Sequence, residues 1–370
     1  MTDSLKNFFG NNPNRPRTKV QEVSPSSLGA KIKVIGVGGS GNNTLNHIIK
    51  AQVSGIDTIA LNTDAQALDH NNAAIKINIG KKMTGGLGAG SDPTLGQKSA
   101  EESSEEIKAH LENADMAFVT CGMGGGTGTG AAPVVASLAK EAGALTIGVV
   151  TKPFTFEGEQ RRERAENGLK ELKEKVDALI LIPNDKILSI IDKKTPVMDA
   201  LKVADDILLQ GVQGIAGLIT SHGMINVDFA DVKNVMQNSG SALMGIGYGT
   251  GENRAVEAAR AAINSPLLEQ QIDGAKGLLV NVAGGNDLSM LEVEESIKTI
   301  TSSVHPQAEI TFGTEINDGY TGEVKITVIA TNFDEKAVAE MKAKRNNFQK
   351  PRTTQEELEI PAFIRKKMQR

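Results

Sequence analysis

Short apolar runs alternate with longer amphipathic stretches over the first half of this chain. The apolar runs hold five or six residues each and are typical of buried strands; they are Ile32–Val37, Thr58–Asn62, Ala74–Ile79, Met116–Cys121, Leu145–Val150 and Ala178–Ile182. Before the last run, Glu159–Val176 is predicted as a charged helix with Leu169 and Leu172 on one face. This alternation predicts an α/β fold whose parallel sheet is covered by helices on both faces.

The second half of the chain begins with a long helix, predicted over Pro196–Thr220. Its apolar residues spread too widely for one stripe, so we expect it to be buried on several sides. A smaller α+β unit follows, with strands predicted near Ala242–Tyr248, Gly277–Val282, Glu309–Glu315 and Glu323–Ala330. Two helices are predicted between these strands, at Asn253–Ile263 and Ser289–Ser302.

A glycine-threonine run, Gly124–Gly130, has the sequence G-G-G-T-G-T-G and follows a predicted buried strand. A helix is predicted directly after it, over Ala131–Ala142, opened by Pro133. A glycine-rich turn between a strand and a helix exposes backbone N–H groups at the positive helix end, which suits phosphate. The alternative is a flexible linker, but linkers rarely stand between a buried strand and a helix. No Gly-Lys-Ser/Thr follows, so the run is not a Walker A loop.

A second glycine cluster, Gly36–Gly41, follows the first predicted strand, and a helix is expected to begin near Thr44. Taken alone, this loose cluster is also compatible with a dinucleotide-binding fold. That alternative expects an acid at the end of the second strand, where Asp64 stands. At this point a nicotinamide-dependent enzyme therefore remains open.

Composition narrows the classes of function. The formal net charge is −5 and aromatic residues make up 3%, so neither value favours a nucleic-acid partner. The single cysteine, Cys121, is consistent with a reducing compartment and is expected to pack as a small apolar residue. No run approaches the ~18 apolar residues of a membrane span, and the first residues lack an apolar signal core. We therefore expect a cytoplasmic protein without direct membrane insertion.

Several ordered motifs together resemble the tubulin/FtsZ family of GTP-binding cytoskeletal proteins. Both glycine clusters take part, and the others are Asn62–Gln66, Pro183–Asp185, Asn226–Asp231, Gly240–Gly247 and Gly251–Arg254. The resemblance covers roughly residues 30 to 333 and a C-terminal peptide. It implies a parallel-sheet GTP-binding domain of tubulin-like topology, a long central helix and a smaller α+β C-terminal domain. It also implies GTP/GDP and Mg²⁺ as cofactors, with no protein side chain assigned as a direct metal ligand.

The resemblance carries over a set of nucleotide-binding residues. Those expected around the phosphates and base are Gly38, Gly39, Ser40, Asn43, Ala89, Gly90, Gly122, Gly125, Gly126, Thr127 and Gly128. Three positions depart from the family pattern: Ser40 replaces a glycine, Gly85 an arginine, and Leu201 an aromatic that stacks on guanine. The Ser40 hydroxyl can donate to phosphate or face solvent. Leu201 keeps apolar contact with the base but lacks a π face.

Four further residues are expected to contact the nucleoside. Glu157 and Arg161 resemble the ribose-contacting pair, although Glu157 alone would also suit a helix start. Asn184 and Asp205 resemble the guanine contacts. A carboxylate can accept from guanine N1–H and the 2-amino group together, whereas adenine offers no such pair. Without the resemblance, Asp205 would be an ordinary acid on a helix surface.

The hydrolytic residues implied by the resemblance are Asn226, Asp228 and Asp231. The two acids are three positions apart at the start of a helical pattern, so both can point one way. Simple helix capping by Asp228 is the alternative interpretation of that spacing. In the family, this loop enters the nucleotide pocket of the next subunit. The resemblance therefore implies head-to-tail filaments whose active sites are shared.

The C-terminal peptide is expected to bind a membrane-tethering division protein such as FtsA. Its candidate contacts are Leu358, Ile360, Pro361, Phe363 and Ile364, followed by a basic end. The predicted organisation is a mobile arm (1–29), a GTP-binding domain (30–195), a central helix and connection (196–224), a polymerisation domain (225–333), a linker (334–357) and this peptide (358–370).

The sequence thus predicts a polymerising GTPase of the cytokinetic ring, concentrated at the division site on the inner face of the membrane. Two alternatives remain at this point. One is a non-catalytic tubulin-like scaffold with structural nucleotide, which the acids Asp228 and Asp231 disfavour. The other is the dinucleotide-dependent oxidoreductase, which the G-G-G-T-G-T-G run disfavours.

Overall fold

The computed structural model describes residues 29–333, apart from positions 193, 221–224, 269–271, 273 and 305. The strands within these residues are β1 Ile32–Val37, β2 Ile56–Asn62, β3 Ile75–Asn78, β4 Met116–Gly122, β5 Leu145–Lys152, β6 Ala178–Pro183, β7 Gly240–Thr250, β8 Gly277–Gly284, β9 Glu309–Ile316 and β10 Glu323–Thr331. The helices are α1 Gly38–Lys50, α2 Ala65–Asp69, α3 Lys81–Thr84, α4 Pro93–Glu102, α5 Ser104–Leu111, α6 Thr127–Glu141, α7 Glu159–Lys175, α8 Asn184–Ile187, α9 Val197–Thr220, α10 Phe229–Met236, α11 Arg254–Ile263 and α12 Met290–Thr301.

The ten strands form one sheet in the order β3-β2-β1-β4-β5-β6-β7-β10-β8-β9. Strands β1 to β6 are parallel, and β7 continues this arrangement by pairing its first residues with β6. Strand β10 then runs antiparallel between β7 and β8, and β9 is parallel to β8. The predicted α/β fold with a smaller mixed second part is confirmed. The sheet runs through both predicted domains, whose boundaries stay predictions.

Hydrophobic cores lie on both faces of the parallel strands. Val34 and Phe118 belong to the core shared with α1 and α9, whereas Ile35 and Val119 belong to the core beneath α6. Neighbouring residues of one strand point to opposite faces, so a strand buried on both sides must be apolar throughout. This is why β1 and β4 appear in the sequence as continuous apolar runs.

Helix α9 is buried along much of its length, as its wide apolar distribution predicts. Leu208, Val212 and Ile215 have no exposed surface. Added Cβ atoms at Gly211 and Gly214 would lie 3.3 Å from Met244 and 2.9 Å from Thr327, so α9 also packs against β7 and β10. With 24 residues, α9 is about 36 Å long. It therefore runs from the carboxyl ends of the parallel strands to their amino ends.

Alternate glycines on β7 let α11 lie directly on the sheet. A Cβ at Gly245, Gly247 or Gly249 would stand 1.9–2.1 Å from a carbonyl oxygen of α11 or of Arg254 at its start. Because successive strand residues face opposite sides, these three glycines share one face. The Gly240–Gly247 motif thus has a packing reason that is independent of any ligand.

Two helix starts differ from the sequence prediction. Helix α1 begins at Gly38 rather than near Thr44, and α6 begins at Thr127, so Pro133 lies inside it instead of opening it. Glycine disfavours helix in isolation. Here close packing outweighs that preference, because a Cβ at Gly130 would meet the carbonyl oxygen of Pro93 at 1.8 Å.

Candidate functional site

The first helical turns of α1 and α6 meet at one edge of the sheet. Strands β1 and β4 are parallel neighbours, so the helices that follow them start side by side. Gly38 has φ +71°, and a Cβ there would lie 2.9 Å from the amide nitrogen of Gly128. In the described chain neither helix has a capping side chain or an acid in its first turn. Two positive helix ends are therefore left open for an anion.

A cleft of about 310 Å³ lies in front of these helix ends. Eleven of the sequence-predicted residues line it: Gly39, Ser40, Gly122, Gly125, Gly126, Thr127, Gly128, Glu157, Arg161, Asn184 and Leu201. Sequence reasoning missed four other lining residues: Val37, Met123, Thr151 and Pro153. The strand register could have indicated Thr151, because it pairs with Gly122 across β4 and β5.

The loop containing Ala89 and Gly90 packs against the start of α6. Ala89 is buried, and its Cβ would lie 2.9 Å from a Cβ built on Gly126. The Thr63 and Thr127 hydroxyls are 2.7 Å apart and join the end of β2 to the same helix start. This places the loop beside the cleft, although its residues do not line it. Thr63 is a further supporting residue that the sequence analysis did not single out.

Glu157 and Arg161 form one wall of the cleft. Glu157 Oε2 is 3.0 Å from Arg161 Nε, and Glu157 Oε1 accepts a 2.8 Å hydrogen bond from the Phe154 amide. Glu157 ends a 3-10 turn, Thr155–Glu157, and lies two residues before α7, so it caps this turn and not the start of α7. The ion pair holds the guanidinium at the cleft edge, where it can contact a bound hydroxyl or phosphate oxygen.

Asn184 supplies a hydrogen-bond acceptor in the lining of the cleft. The residue is 8% exposed, and its buried Oδ1 has no hydrogen-bond partner among the described residues. A buried polar atom without a partner is costly, which favours a ligand that donates to it. The next residue, Asp185, accepts a 2.9 Å hydrogen bond from the Thr155 amide and fixes this corner of the cleft.

Asp205 lies behind the cleft on α9 and does not line it directly. Its side chain is 16% exposed, its Oδ1 accepts a 2.9 Å hydrogen bond from Thr44, and its Oδ2 is 4.0 Å from His47 Nε2. Burial raises the pKa of this carboxyl above its ordinary value. Asn43 is exposed on α1 and is likewise outside the cleft lining. The nucleotide contacts of both residues stay predictions.

The three residues Asn226, Asp228 and Asp231 lie far from this cleft. Helix α9 starts near the cleft at Leu201 and ends at Thr220, which packs against Gly55 just before β2. The segment after α9 therefore lies at the amino-terminal edge of the parallel strands. Asp228 caps α10 and accepts a 2.9 Å hydrogen bond from the Asp231 amide. The capping interpretation is correct for Asp228, and both carboxylates remain exposed.

Within the described residues, no cluster of three or more His, Cys, Asp or Glu could hold a metal ion. None of the described helices is long and apolar enough to cross a membrane. Asp64, the acid that the dinucleotide interpretation requires, caps α2 by accepting from the Ala67 amide. The predicted tail contacts, Leu358 to Ile364, lie outside the described residues.

An α/β sheet with two open helix ends and a glycine-lined cleft defines a phosphate-binding, nucleotide-type site. Comparison with known proteins makes the class specific. A model of the Tubulin/FtsZ family, GTPase domain, matches residues 31–192. A model of the FtsZ family, C-terminal domain, matches residues 240–334.

Solved structures agree with both matches. An empty FtsZ dimer from M. jannaschii is 49% identical, with a TM-score of 0.79 over 82% of this chain and 88% of that chain. A point mutant of M. jannaschii FtsZ is 48% identical, with a TM-score of 0.80 over 83% and 92% of the two chains. A GTPγS-bound protofilament of CetZ2 from Haloferax volcanii shares the fold at 22% identity, with a TM-score of 0.71 over 87% and 100%. The chain belongs to the tubulin/FtsZ family, whose GTPase domain implies binding of GTP or GDP.

Proposed function

We propose that this protein forms head-to-tail filaments and hydrolyses GTP at sites shared by adjacent subunits. The observation that carries the proposal is the separation of the cleft from Asp228 and Asp231, at opposite ends of the parallel strands along the ~36 Å helix α9. No single chain can bring both to one nucleotide. A neighbour stacked in the same orientation can, and a contact of this heterologous kind does not close on itself, so it generates a filament.

An apolar rim around the cleft supports the same assembly. Phe156, Leu188, Met198 and Leu201 are 73%, 47%, 68% and 44% exposed. Phe156, Leu188 and Leu201 also line an apolar hollow that shares Glu157 and Leu201 with the nucleotide cleft. Exposed apolar groups concentrated at one place are typical of an interaction surface. Burial by the next subunit would remove them from water.

The cleft residues have separable roles in binding. The amides at the starts of α1 and α6 hold the phosphates, and the Thr127 hydroxyl adds a donor. Glu157 and Arg161 contact the ribose side. Asn184 Oδ1 and the Asp205 carboxylate accept from the guanine edge, which distinguishes GTP from ATP. Ser40 lines the cleft and is exposed, which supports a role for its hydroxyl as a donor to phosphate.

Hydrolysis requires a water aligned with the γ-phosphate. Asp228 and Asp231, together with Asn226, orient that water from the neighbouring subunit. The cap bond of Asp228 uses only Oδ1, which leaves its second oxygen for the water. Mg²⁺ would be held by the nucleotide phosphates and water rather than by a protein cage, in keeping with its coordination habits. Loss of the γ-phosphate would then weaken the interface and release subunits.

In the cell, such filaments would serve division at the inner face of the membrane. Three findings support this role: the match to the FtsZ C-terminal domain, the similarity to an FtsZ dimer at 49% identity, and the predicted tail peptide. A division protein that tethers filaments to the membrane, such as FtsA, is the expected partner of residues 358–364. The cytoplasm is the corresponding location.

Asp231→Ala tests the shared site. We expect GTP affinity within about twofold of wild type, phosphate release reduced about a hundredfold or more, and filaments that persist longer after GTP addition. Wild-type specific activity should rise with protein concentration above a threshold, because each site needs two chains. Phosphate release, nucleotide titration and light scattering measure the three quantities.

Glu106→Ala removes an exposed acid of α5 and is the control, with wild-type activity expected. Equal losses of nucleotide affinity and turnover in Asp231→Ala would mean that Asp231 acts within its own subunit. Specific activity independent of concentration would contradict a shared site. Full binding without any phosphate release in wild type would identify a scaffold with structural nucleotide.

A further inference from the structure

A second cleft lies among the helices that cover one face of the parallel strands. It has a volume of about 480 Å³, is formed by α4, α5, α6 and α7, and shares no residue with the nucleotide cleft. Pro133, Val134 and Leu138 of α6 give it an apolar floor. Its volume falls in the range typical of ligand sites. We call it the acidic groove, because its rim carries the glutamates Glu101, Glu141, Glu171 and Glu174.

The rim glutamates are available for a basic partner. The ion pairs of the same helices use other residues, since Lys140 pairs with Asp177 and Glu166 pairs with Lys152. In the described part of the chain, Glu101 and Glu141 accept only from the neutral Gln97 and Ser137 side chains. Among the described residues that line the groove, one is basic, Lys175. The balance is therefore acidic around an apolar floor.

The last residues of this chain have the complementary composition. Large apolar side chains at Leu358, Ile360, Phe363 and Ile364 precede a basic end formed by Arg365, Lys366, Lys367 and Arg370. We propose that residues 358–370 bind the acidic groove of their own subunit. The apolar side chains cover Pro133, Val134 and Leu138, and the basic end lies between the rim glutamates. Such a peptide combines apolar anchoring with charge complementarity.

The chain reaches the groove from where its described part ends. At the end of β10, the Thr331 hydroxyl donates a 3.1 Å hydrogen bond to the carbonyl of Val235, near the end of α10. Just beyond α10, Asn238 Oδ1 accepts a 3.4 Å hydrogen bond from Lys140, which precedes the rim residue Glu141. One short helix therefore separates the end of β10 from the groove. Residues 334–357 supply 24 positions, and a coil of that length spans about 27 Å.

Binding of the tail peptide in the groove would compete with its binding to a membrane tether. The apolar side chains that cover the groove floor are the ones that would anchor the peptide on a membrane tether. One peptide cannot occupy both surfaces, so the groove withdraws the tail from the tether. The groove is separate from the nucleotide cleft, and the inference does not depend on GTP hydrolysis.

Disulfide cross-linking in the full chain tests the proposal. The tail carries Gln369→Cys, and the groove carries Ser137→Cys; the native Cys121 is fully buried and does not compete. The control is Gln369→Cys with Gln237→Cys, because Gln237 is exposed and lies nearer the end of β10 than the groove does. We expect the groove pair to cross-link within one chain about tenfold faster than the control pair. Cross-linking is followed with GDP at low protein concentration.

Variants that remove charges from the groove rim distinguish specific binding of the tail from a tail that is merely close to the groove. Glu171→Gln with Glu174→Gln should slow the groove cross-link about fivefold, and high salt should do the same. Glu294→Gln with Glu295→Gln makes the same charge change on exposed positions of α12 and should leave the rate unchanged. Equal rates for the two cysteine pairs would overturn the proposal. A cross-link that forms only between chains would overturn binding within one subunit.

Discussion

Burial of the Asp205 carboxyl makes the stability of the folded protein depend on pH. Burial raises the pKa of this carboxyl, so the folded chain holds this proton to a higher pH than the unfolded chain does. Its stabilising contribution is therefore present at low pH and is lost as pH rises through the folded pKa. Near neutral pH the ionised carboxylate is a net cost. The hydrogen bond from Thr44 offsets part of that cost.

Asp205→Asn should therefore increase the free energy of unfolding of the nucleotide-free protein at neutral pH, because the buried charge is removed and Thr44 can still donate. The advantage should disappear in acid, where Asp205 is protonated. GTP affinity should fall by about 2 kcal/mol, or about thirtyfold, and the preference for GTP over ATP should narrow. Thermal melts across pH and titrations with both nucleotides measure these effects.

Asp206→Asn is the matched control, since Asp206 is the next residue and its side chain is 51% exposed. It should change neither the nucleotide preference nor the pH dependence to a comparable extent. If the ratio of GTP affinity to ATP affinity were unchanged in Asp205→Asn, Asp205 would not contact the base.

At the scale of elements, Arg254 ties the second part of the sheet to its helices. Its side chain is 8% exposed at the start of α11, where a cation opposes the helix dipole. The guanidinium contacts Asp287 at 2.5 Å and Glu292 of α12 at 2.6 Å. Asp287 also accepts a 3.1 Å hydrogen bond from the Gly322 amide just before β10. One arginine therefore connects α11, α12 and the turn before β10.

Arg254→Ala should lower the free energy of unfolding by about 3 kcal/mol at neutral pH, because Glu292 loses its partner in a partly buried site. Hydrogen bonds from Arg254 lower the pKa values of Asp287 and Glu292. That stabilisation is present above the unfolded pKa of these acids and is lost as pH falls through the folded values. The difference from wild type should thus narrow below about pH 4. Denaturant titrations at several pH values provide the measurement.

The exposed Arg260 on the same helix offers the comparison, and Arg260→Ala should stay within about 0.5 kcal/mol of wild type. A similar loss of unfolding free energy in both variants would mean that α11 itself, and not the ion pairs of Arg254 with Asp287 and Glu292, causes the effect. A loss in Arg254→Ala that persists unchanged in acid would show that the ion pairs are not its cause.

At the scale of the whole molecule, α9 and the tail peptide set how far the functional parts lie from one another. The helix keeps the cleft and the acids of the next site at opposite ends, so assembly has to bring them together. Residues 332–357, which are 26 positions, separate the peptide from the end of β10. Filament formation and surface recruitment should therefore be separable.

Deleting residues 358–370 should leave GTP hydrolysis and filament formation intact and abolish binding to vesicles that carry the tether. Phe363→Ala alone should cause most of that loss, since an aromatic anchor in a short-peptide interface contributes about 2 kcal/mol or more. Co-sedimentation with tether-coated vesicles measures recruitment, and Gln369→Ala serves as the control. If the truncated filaments bound the vesicles as strongly as wild type, the contact with the tether would lie in the globular part of the protein.

Much of the fold could be predicted from the sequence because local pattern and tertiary environment agree. The apolar run Ile32–Val37 is β1 without any shift, and Met116–Cys121 differs from β4 by one residue. The helix starts were less predictable, since Gly38 and Gly128 lie in first helical turns where two backbones approach closely. Thr63 and Thr151 could not be singled out as site residues, because their roles depend on neighbouring strands and loops.

The sequence by itself determined the layered α/β fold, the two glycine clusters and the family they indicate, because periodicity and glycine content act over a few residues. The tertiary structure decided where those pieces meet. It brought two helix starts to one cleft and set Asp228 and Asp231 at the far end of α9. It also left Asn184 Oδ1 in that cleft without a hydrogen-bond partner among the described residues. These are relations between residues far apart in the chain, fixed by strand order and helix packing, so no local pattern contains them.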